Sequence, residues 1–173
     1  MDEQKYPIGK FKKPTSISKE HIEKWIKIIE CFPKNLQVEV QNLNDSELKK
    51  QYRPNGWTIK QVVNHCADSH MNSFIRFKLA LTEETPTIKP YVESLWAEFP
   101  DSYDCPISDS LKIVEGLHAR WVNMLKNMDE NDLEKEFLHP ETNEKTSLKI
   151  NIGIYAWHCE HHLAHIKKIN RKQ

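Results

Sequence analysis

Apolar residues recur along this chain at helical intervals. Ile22, Trp25, Ile26, Ile29 and Phe32 follow i, i+3, i+4, i+7 spacing, and Ser18 precedes them as an N-cap. Pro33 is expected to kink or interrupt this first helix, since proline lacks an N–H and crowds the preceding turn. The period resumes weakly through Leu36, Val40 and Leu43. Thr58 and Gln61 form a T-x-x-Q capping box at the head of a second helix, expected to reach about Leu81. Its apolar face is Ile59, Val62, Val63, Cys66, Phe74, Phe77 and Leu81. A third helix is expected from near Ser108 or Ser110 to about Met128, on Leu111, Val114, Leu117, Trp121, Val122 and Leu125. A fourth runs from about Leu148 to Asn170. Four amphipathic helices predict an all-α four-helix bundle.

The intervening segments are rich in breakers. Residues 1–17 carry Pro7 and Pro14 without a helical period, which predicts an extended N-terminal arm packed by Tyr6, Ile8 and Phe11. The bundle domain then occupies 18–173. Residues 82–106 hold Pro86, Pro90, Pro100 and Pro106, a long loop between helices two and three with room for a short helix in "VESLWAEF". "FLHPETNEKTSL" reads as a turn or short hairpin.

Composition narrows the function. Lys plus Arg and Asp plus Glu number 25 each in the 173 residues. That balance argues against nucleic acid as a partner, because phosphate binding rests on excess positive charge. The terminal "KKINRKQ" reads as a cationic helix end. No apolar run approaches the ~20 residues of a membrane span, and "MDEQKYPIGKFKKP" has no apolar signal core. The expected location is cytoplasmic. Cys31, Cys66, Cys105 and Cys159 form no C-x-x-C pair and are expected to be reduced thiols.

Candidate chemistry concentrates in "WHCEHHLAHI", residues 157–166. At about 100° per residue, His158, His161, His162 and His165 fall within one sector of roughly 100°. His158 with His162, and His161 with His165, are i, i+4 pairs that let two imidazoles converge on one metal ion. Ile154, Tyr155, Ile166 and Ile169 mark the buried direction; His158 and His162 straddle it, and His161 is expected to turn away. His165 stays open as an alternative ligand or a supporting group. For a third ligand, helix two offers His65 and His70. His70 lies with Val63, Phe74 and Phe77 on the apolar face. His65 heads a polar stripe with Ser69, Asn72 and Arg76, candidates for handling substrate, and is preferred. His118 is a further candidate, and His21 and His139 look peripheral. Cys66 and Cys159 point about 100° away from the neighbouring histidines and are expected to pack as small apolar groups.

"YPIGKF", "GWTIKQVVNHCADSHMNSFIRFKLALTEETPTIKPY", "LHARW", "HPET" and "YAWHCEHHLAHI" together resemble the YfiT-type branch of the DinB-like superfamily, over nearly the whole chain. The resemblance implies a four-helix bundle with one divalent metal, zinc first and nickel as the alternative, held by one histidine of the second helix and two of the last. Residue by residue these are His65, His158 and His162. It further implies a homodimer, and either a metal-dependent hydrolase or a thiol S-transferase of the bacillithiol type. The chain departs from relatives at Asn64, where they can carry histidine, and at Cys159–Glu160, where they can carry Ser-His; neither departure removes a ligand.

Three neutral imidazoles leave a position open, the pattern of a catalytic site. Such an ion can lower the pKa of bound water to about 7 or deprotonate a bound thiol. Asp68, Glu115 and Glu160 are present, but no motif fixes a general base beside the metal, which favours a thiol nucleophile. Arg76 is the expected grip for the thiol's acidic tail. A non-enzymatic alternative is a metal staple between helices two and four of a homodimer, with His165 as the fourth ligand.

Overall fold

A computed structural model describes residues 2–170. Four long helices carry it: α1 (Lys19–Val40), α2 (Ile59–Thr82), α3 (Ile107–Lys126) and α4 (Leu148–Asn170). Helix α1 starts at Ser18, whose hydroxyl accepts from the His21 N–H while His21 Nδ1 accepts from the Ser18 N–H. Helix α2 starts at the expected Thr58–Gln61 box. Pro33 does not interrupt α1, which continues seven residues beyond it to Val40. Buried Phe32 and Leu36 on either side of the proline hold it in the core. Losing one helical hydrogen bond is offset by that burial, each large side chain contributing about 1.5–3 kcal/mol.

Helix α1 packs against α3 and α4, and α2 packs against the same two. The sequential pairs α1/α2 and α3/α4 therefore stand across the diagonals of the bundle. Between them lies a core that includes Ile29, Phe32, Val63, Phe77, Trp121 and Ile166. The α1–α2 connector closes on an isolated bridge between Gln51 and Thr58.

The proline-rich segment after α2 contains two single-turn helices, Glu93–Trp96 and Asp101–Asp104. It is tied down by Gln61, which donates to the Ala97 carbonyl, and by Asn64, which donates to the Ser102 carbonyl. The expected hairpin forms from β1 (Glu136–His139) and β2 (Glu144–Ser147), antiparallel, with Phe137 opposite Thr146. Asn143 takes the positive φ of 54° that its turn requires.

The N-terminal arm departs from a wholly extended form: Asp2–Lys5 make one helical turn, and Ile8 is exposed. The arm crosses α4 instead. Trp157 Nε1 donates to the Gly9 carbonyl at 3.0 Å, and the Lys5 carbonyl lies 3.1 Å from His165 Nε2. No helix among the described residues is long and apolar enough to cross a membrane.

Candidate metal centre

Helices α2 and α4 lie side by side, so the one histidine of the polar stripe meets the paired histidines of the last helix. His65, His158 and His162 each offer a ring nitrogen, all within 4.8 Å of one another. His65 Nε2 and His158 Nε2 are 3.2 Å apart. Two nitrogens bound about 2.0–2.1 Å from a tetrahedral zinc stand about 3.3–3.4 Å apart. This pair is therefore spaced as ligands of one ion.

Electrostatics agree with that spacing. Burial first, then the neighbouring imidazoles, depress all three rings: His65 to about 4, His158 and His162 well below the ordinary 6.5. They are neutral at pH 7 and can donate lone pairs. His162 Nδ1 is buried without a hydrogen-bond partner. Neutral donors, an unpartnered buried nitrogen and the 3.2 Å spacing together fit a borderline-soft divalent cation.

His161 does not turn away as its helical angle suggested. It is 7% exposed, stacked on Trp157 at 4.5 Å between centroids, with Tyr6 at 5.8 Å. With His162 and His165 it makes a second close group of ring nitrogens. His165 belongs to that second group rather than to the first. The Lys5 carbonyl can only accept, so His165 Nε2 donates to it, and Tyr52 stacks on the ring at 4.0 Å.

Behind His158 runs a chain of imidazoles. His158 Nδ1 is 3.0 Å from His70 Nε2, His70 Nδ1 is 2.7 Å from His118 Nε2, and His118 Nδ1 is 2.7 Å from the Ile29 carbonyl. His70 and His118 are each at most 1% exposed. His70 lies on the buried face of α2, as its spacing predicts, and is also a hydrogen-bonding neighbour of the centre.

Of the polar stripe, Ser69 reaches the site: its Oγ lies 3.5 Å from His158 Nε2 and 3.2 Å from the Tyr155 hydroxyl. Tyr155 donates to the Ser69 carbonyl, so the Ser69 hydroxyl donates to Tyr155. Asn72 turns its amide back to the Asp68 carbonyl. Arg76 does not line the cavity; its charge acts on Glu93 and Tyr155. Cys66 and Cys159 are fully buried in the core, and burial pushes both thiols up. His21 caps α1, and His139 ends β1.

A cavity of about 640 Å³ opens in front of the histidines. Tyr6, Tyr52, Trp57 and Trp157 supply aromatic walls, Lys5 and Arg53 supply positive charge, and Glu93 supplies a carboxylate. Burial raises the Glu93 carboxyl, against the pull of Arg76. Sequence reasoning missed these groups. The arm, the α1–α2 connector and the proline-rich segment bring them together only in the fold. The excess of aromatic and basic residues in "YRPNGW" was the available signal.

The chain is similar to several known proteins. Over 172 residues, 99% of this chain and 98% of the relative, it is 51% identical to a protein of Bacillus cereus (strain ATCC 10987 / NRS 248) named "Putative metal-dependent hydrolase". It is equally similar, with the same coverage, to a protein of that name in Bacillus anthracis (strain CDC 684 / NRRL 3495). YfiT from Bacillus subtilis, described as "a probable metal-dependent hydrolase with an unusual four-helix bundle topology", superposes with a TM-score of 0.95 at 46% identity, covering 98% of this chain and 97% of that one. The fold alone extends to a mycothiol-dependent maleylpyruvate isomerase, with a TM-score of 0.66 at 14% identity over 84% of this chain and 60% of that one. Residues 30–166 match the DinB superfamily, and with these relatives the chain belongs to it, as a four-helix bundle of the YfiT type.

Proposed function

We propose that this chain is a metal-dependent enzyme in which His65, His158 and His162 hold one divalent cation, zinc first and nickel second, and that it transfers a thiol to an electrophile. The names of its relatives support metal dependence. The 3.2 Å spacing of His65 and His158 supports these ligands. A divalent ion bound there would supply Lewis acidity, lowering the pKa of a bound thiol or water.

The observation that carries thiol transfer is the cavity. About 640 Å³ exceeds what a water nucleophile and a small ester require, and Lys5 and Arg53 at its wall suit the acidic groups of a bacillithiol-like thiol. Lys5 and Arg53, rather than Arg76, line the cavity and would take that role. Aromatic walls give the reacting atoms a partly apolar surround, and Ser69, held by Tyr155, sits beside His158 to position a polar substituent. Hydrolysis is the second reading, favoured by Glu93: a cavity carboxylate with a raised pKa is a suitable general base for water.

Mass spectrometry of products, with bacillithiol and water both present and a panel of electrophiles, separates the two. Metal-dependent thioether supports transfer; water-derived product indifferent to thiol leaves hydrolysis. Elemental analysis tests the ligands: His158→Ala and His162→Ala are expected to lose metal and His161→Ala to keep it. Equal loss in all three ends the assignment. Chelation should abolish turnover while circular dichroism retains the helical signal; unfolding on chelation would instead make the ion a structural staple.

A further inference from the structure

Pro33 lies inside α1 without ending it. Proline has no N–H, so the carbonyl four residues earlier loses its helical donor. That carbonyl belongs to Ile29, and it is the one that meets His118 Nδ1 at 2.7 Å. We propose that Pro33, acting through the Ile29 carbonyl, together with His118 and His70, forms a tautomer lock that holds His158 with a bare Nε2 facing His65. The proposal rests on the reading of His158 as a metal ligand.

The direction of each hydrogen bond follows from the last acceptor. A carbonyl oxygen can only accept, so His118 carries its hydrogen on Nδ1. The neutral ring then has an unprotonated Nε2, which accepts from His70 Nδ1 at 2.7 Å. His70 Nε2 is unprotonated in turn and accepts from His158 Nδ1 at 3.0 Å. His158 Nε2 is left with a lone pair, 3.2 Å from His65 Nε2. All three rings take the Nδ1–H form. Reversing the chain would need an extra proton on His70 or His118, and both rings are at most 1% exposed, where an imidazolium without a counter-charge is costly. Phe32, the residue before the proline, packs on both rings at 5.1 and 5.4 Å between centroids.

The chain ends on a main-chain carbonyl, which cannot pass a proton onward. His70 and His118 are therefore positioning residues, not a proton relay. They do for His158 what a carboxylate or single carbonyl does behind many metal-bound histidines, but through two further rings that carry no charge.

Nitrogen-15 NMR of histidine-labelled, metal-free protein reads each tautomer without reference to metal or turnover. The expected result is Nδ1–H at His118, His70 and His158. His118→Leu should let His158 populate both tautomers and weaken zinc binding, in competition with a chromophoric chelator, by about 10–100-fold. His118→Gln should restore both readouts, because its amide can donate to Ile29 and accept from His70. Pro33→Ala returns an N–H to the Ile29 carbonyl and should move both readouts the same way by less; it carries the test if His118→Leu fails to fold. An Nε2–H tautomer at His158 in the wild type, or unchanged zinc affinity in folded variants, would overturn the lock. Wild-type protein showing the three tautomers but no zinc binding would support the lock and overturn the metal reading.

Discussion

Lowering the pH of the metal-free protein tests the histidine cluster as a whole. Burial holds His65 and His118 at about 4, against an ordinary value of 6.5. It holds His161 and His165 at about 4 as well, and pushes His70, His158 and His162 well down. A histidine depressed in the folded state is protonated only in the unfolded chain between those two values. Its share of stability is whole above pH 6.5 and is lost as the pH falls through 4. At 1.36 kcal/mol per pH unit, the gap from 6.5 to about 4 is worth about 3 kcal/mol per group. His65 and His118, at 4% and 1% exposure, are too buried for solvent to screen. Together they remove about 6–7 kcal/mol by pH 4, a large part of the roughly 5–15 kcal/mol that holds a domain folded.

The assay is urea unfolding of chelated protein, followed by circular dichroism, at a series of pH values. Stability should fall steeply between pH 6.5 and 4, with a slope equivalent to two or more protons taken up on unfolding. His118→Gln should flatten that slope by about one proton. A stability that stays level across the window, or an uptake below one proton, would refute the claim that the fold holds these rings neutral.

Three further outcomes are expected. Burial first, then Asp101, raises the Asp68 carboxyl to about 6, so its share of stability is whole below 3.8 and lost as the pH rises through 6; solvent screens this half-buried group, so Asp68→Asn should stabilise the protein by about 1 kcal/mol at pH 7 and not at pH 3, measured by urea unfolding. Gly153 faces the Trp25 indole, and an added Cβ would meet its ring carbons at 2.9–3.0 Å; Gly153→Ala should cost about 1–3 kcal/mol despite better helix propensity, and Trp25→Leu should relieve it in a double-mutant cycle. A homodimer would suit the exposed Val92, Leu95 and Phe99; Leu95→Glu should then halve the mass seen by light scattering, and a monomeric wild type would end that expectation.

The helices were legible because their apolar period and caps are local. Ser18 and Thr58 each cap the helix they were expected to begin, and α4 spans the expected residues. The error at His161 has a physical cause. Helical angles locate a buried face only when a helix has a single wet side. Helix α4 buries Tyr155, Cys159, Leu163 and Ile166 and is covered further by the N-terminal arm. Glu160 is exposed, but the position after it, His161, already lies under Tyr6 and Trp157. The histidine chain was hidden for a different reason: His118 lies 48 residues from His70 and 89 from Ile29, and neither spacing carries a local signal. Pro33 is visible in the sequence, where it signals only a helix breaker. Its consequence depends on which helix faces the carbonyl it releases.

Charge balance decides what such a centre prefers to bind. His65, His158 and His162 bring no negative charge, and the support behind His158 passes through two neutral rings to a neutral carbonyl. A divalent cation in their grasp keeps its charge directed at the cavity. Carboxylates behind histidine ligands would offset part of that charge and raise ligand basicity; none contributes to this chain of rings. Among the described residues lining the cavity, Glu93 is the one acid, while Lys5 and Arg53 add positive charge. The sum favours an anion in front of the histidines, whether thiolate, hydroxide or a substrate carboxylate. The ligands therefore do not choose among nucleophiles. On the proposed reading that choice falls to the walls, where a large acidic thiol would gain contacts with Arg53 and Lys5 that water cannot make. Arg53→Ala should raise the KM for the thiol about tenfold, the effect of losing one charge-assisted hydrogen bond, and leave metal content unchanged. An unchanged KM, with turnover intact in water alone, would move the assignment to Glu93 and hydrolysis.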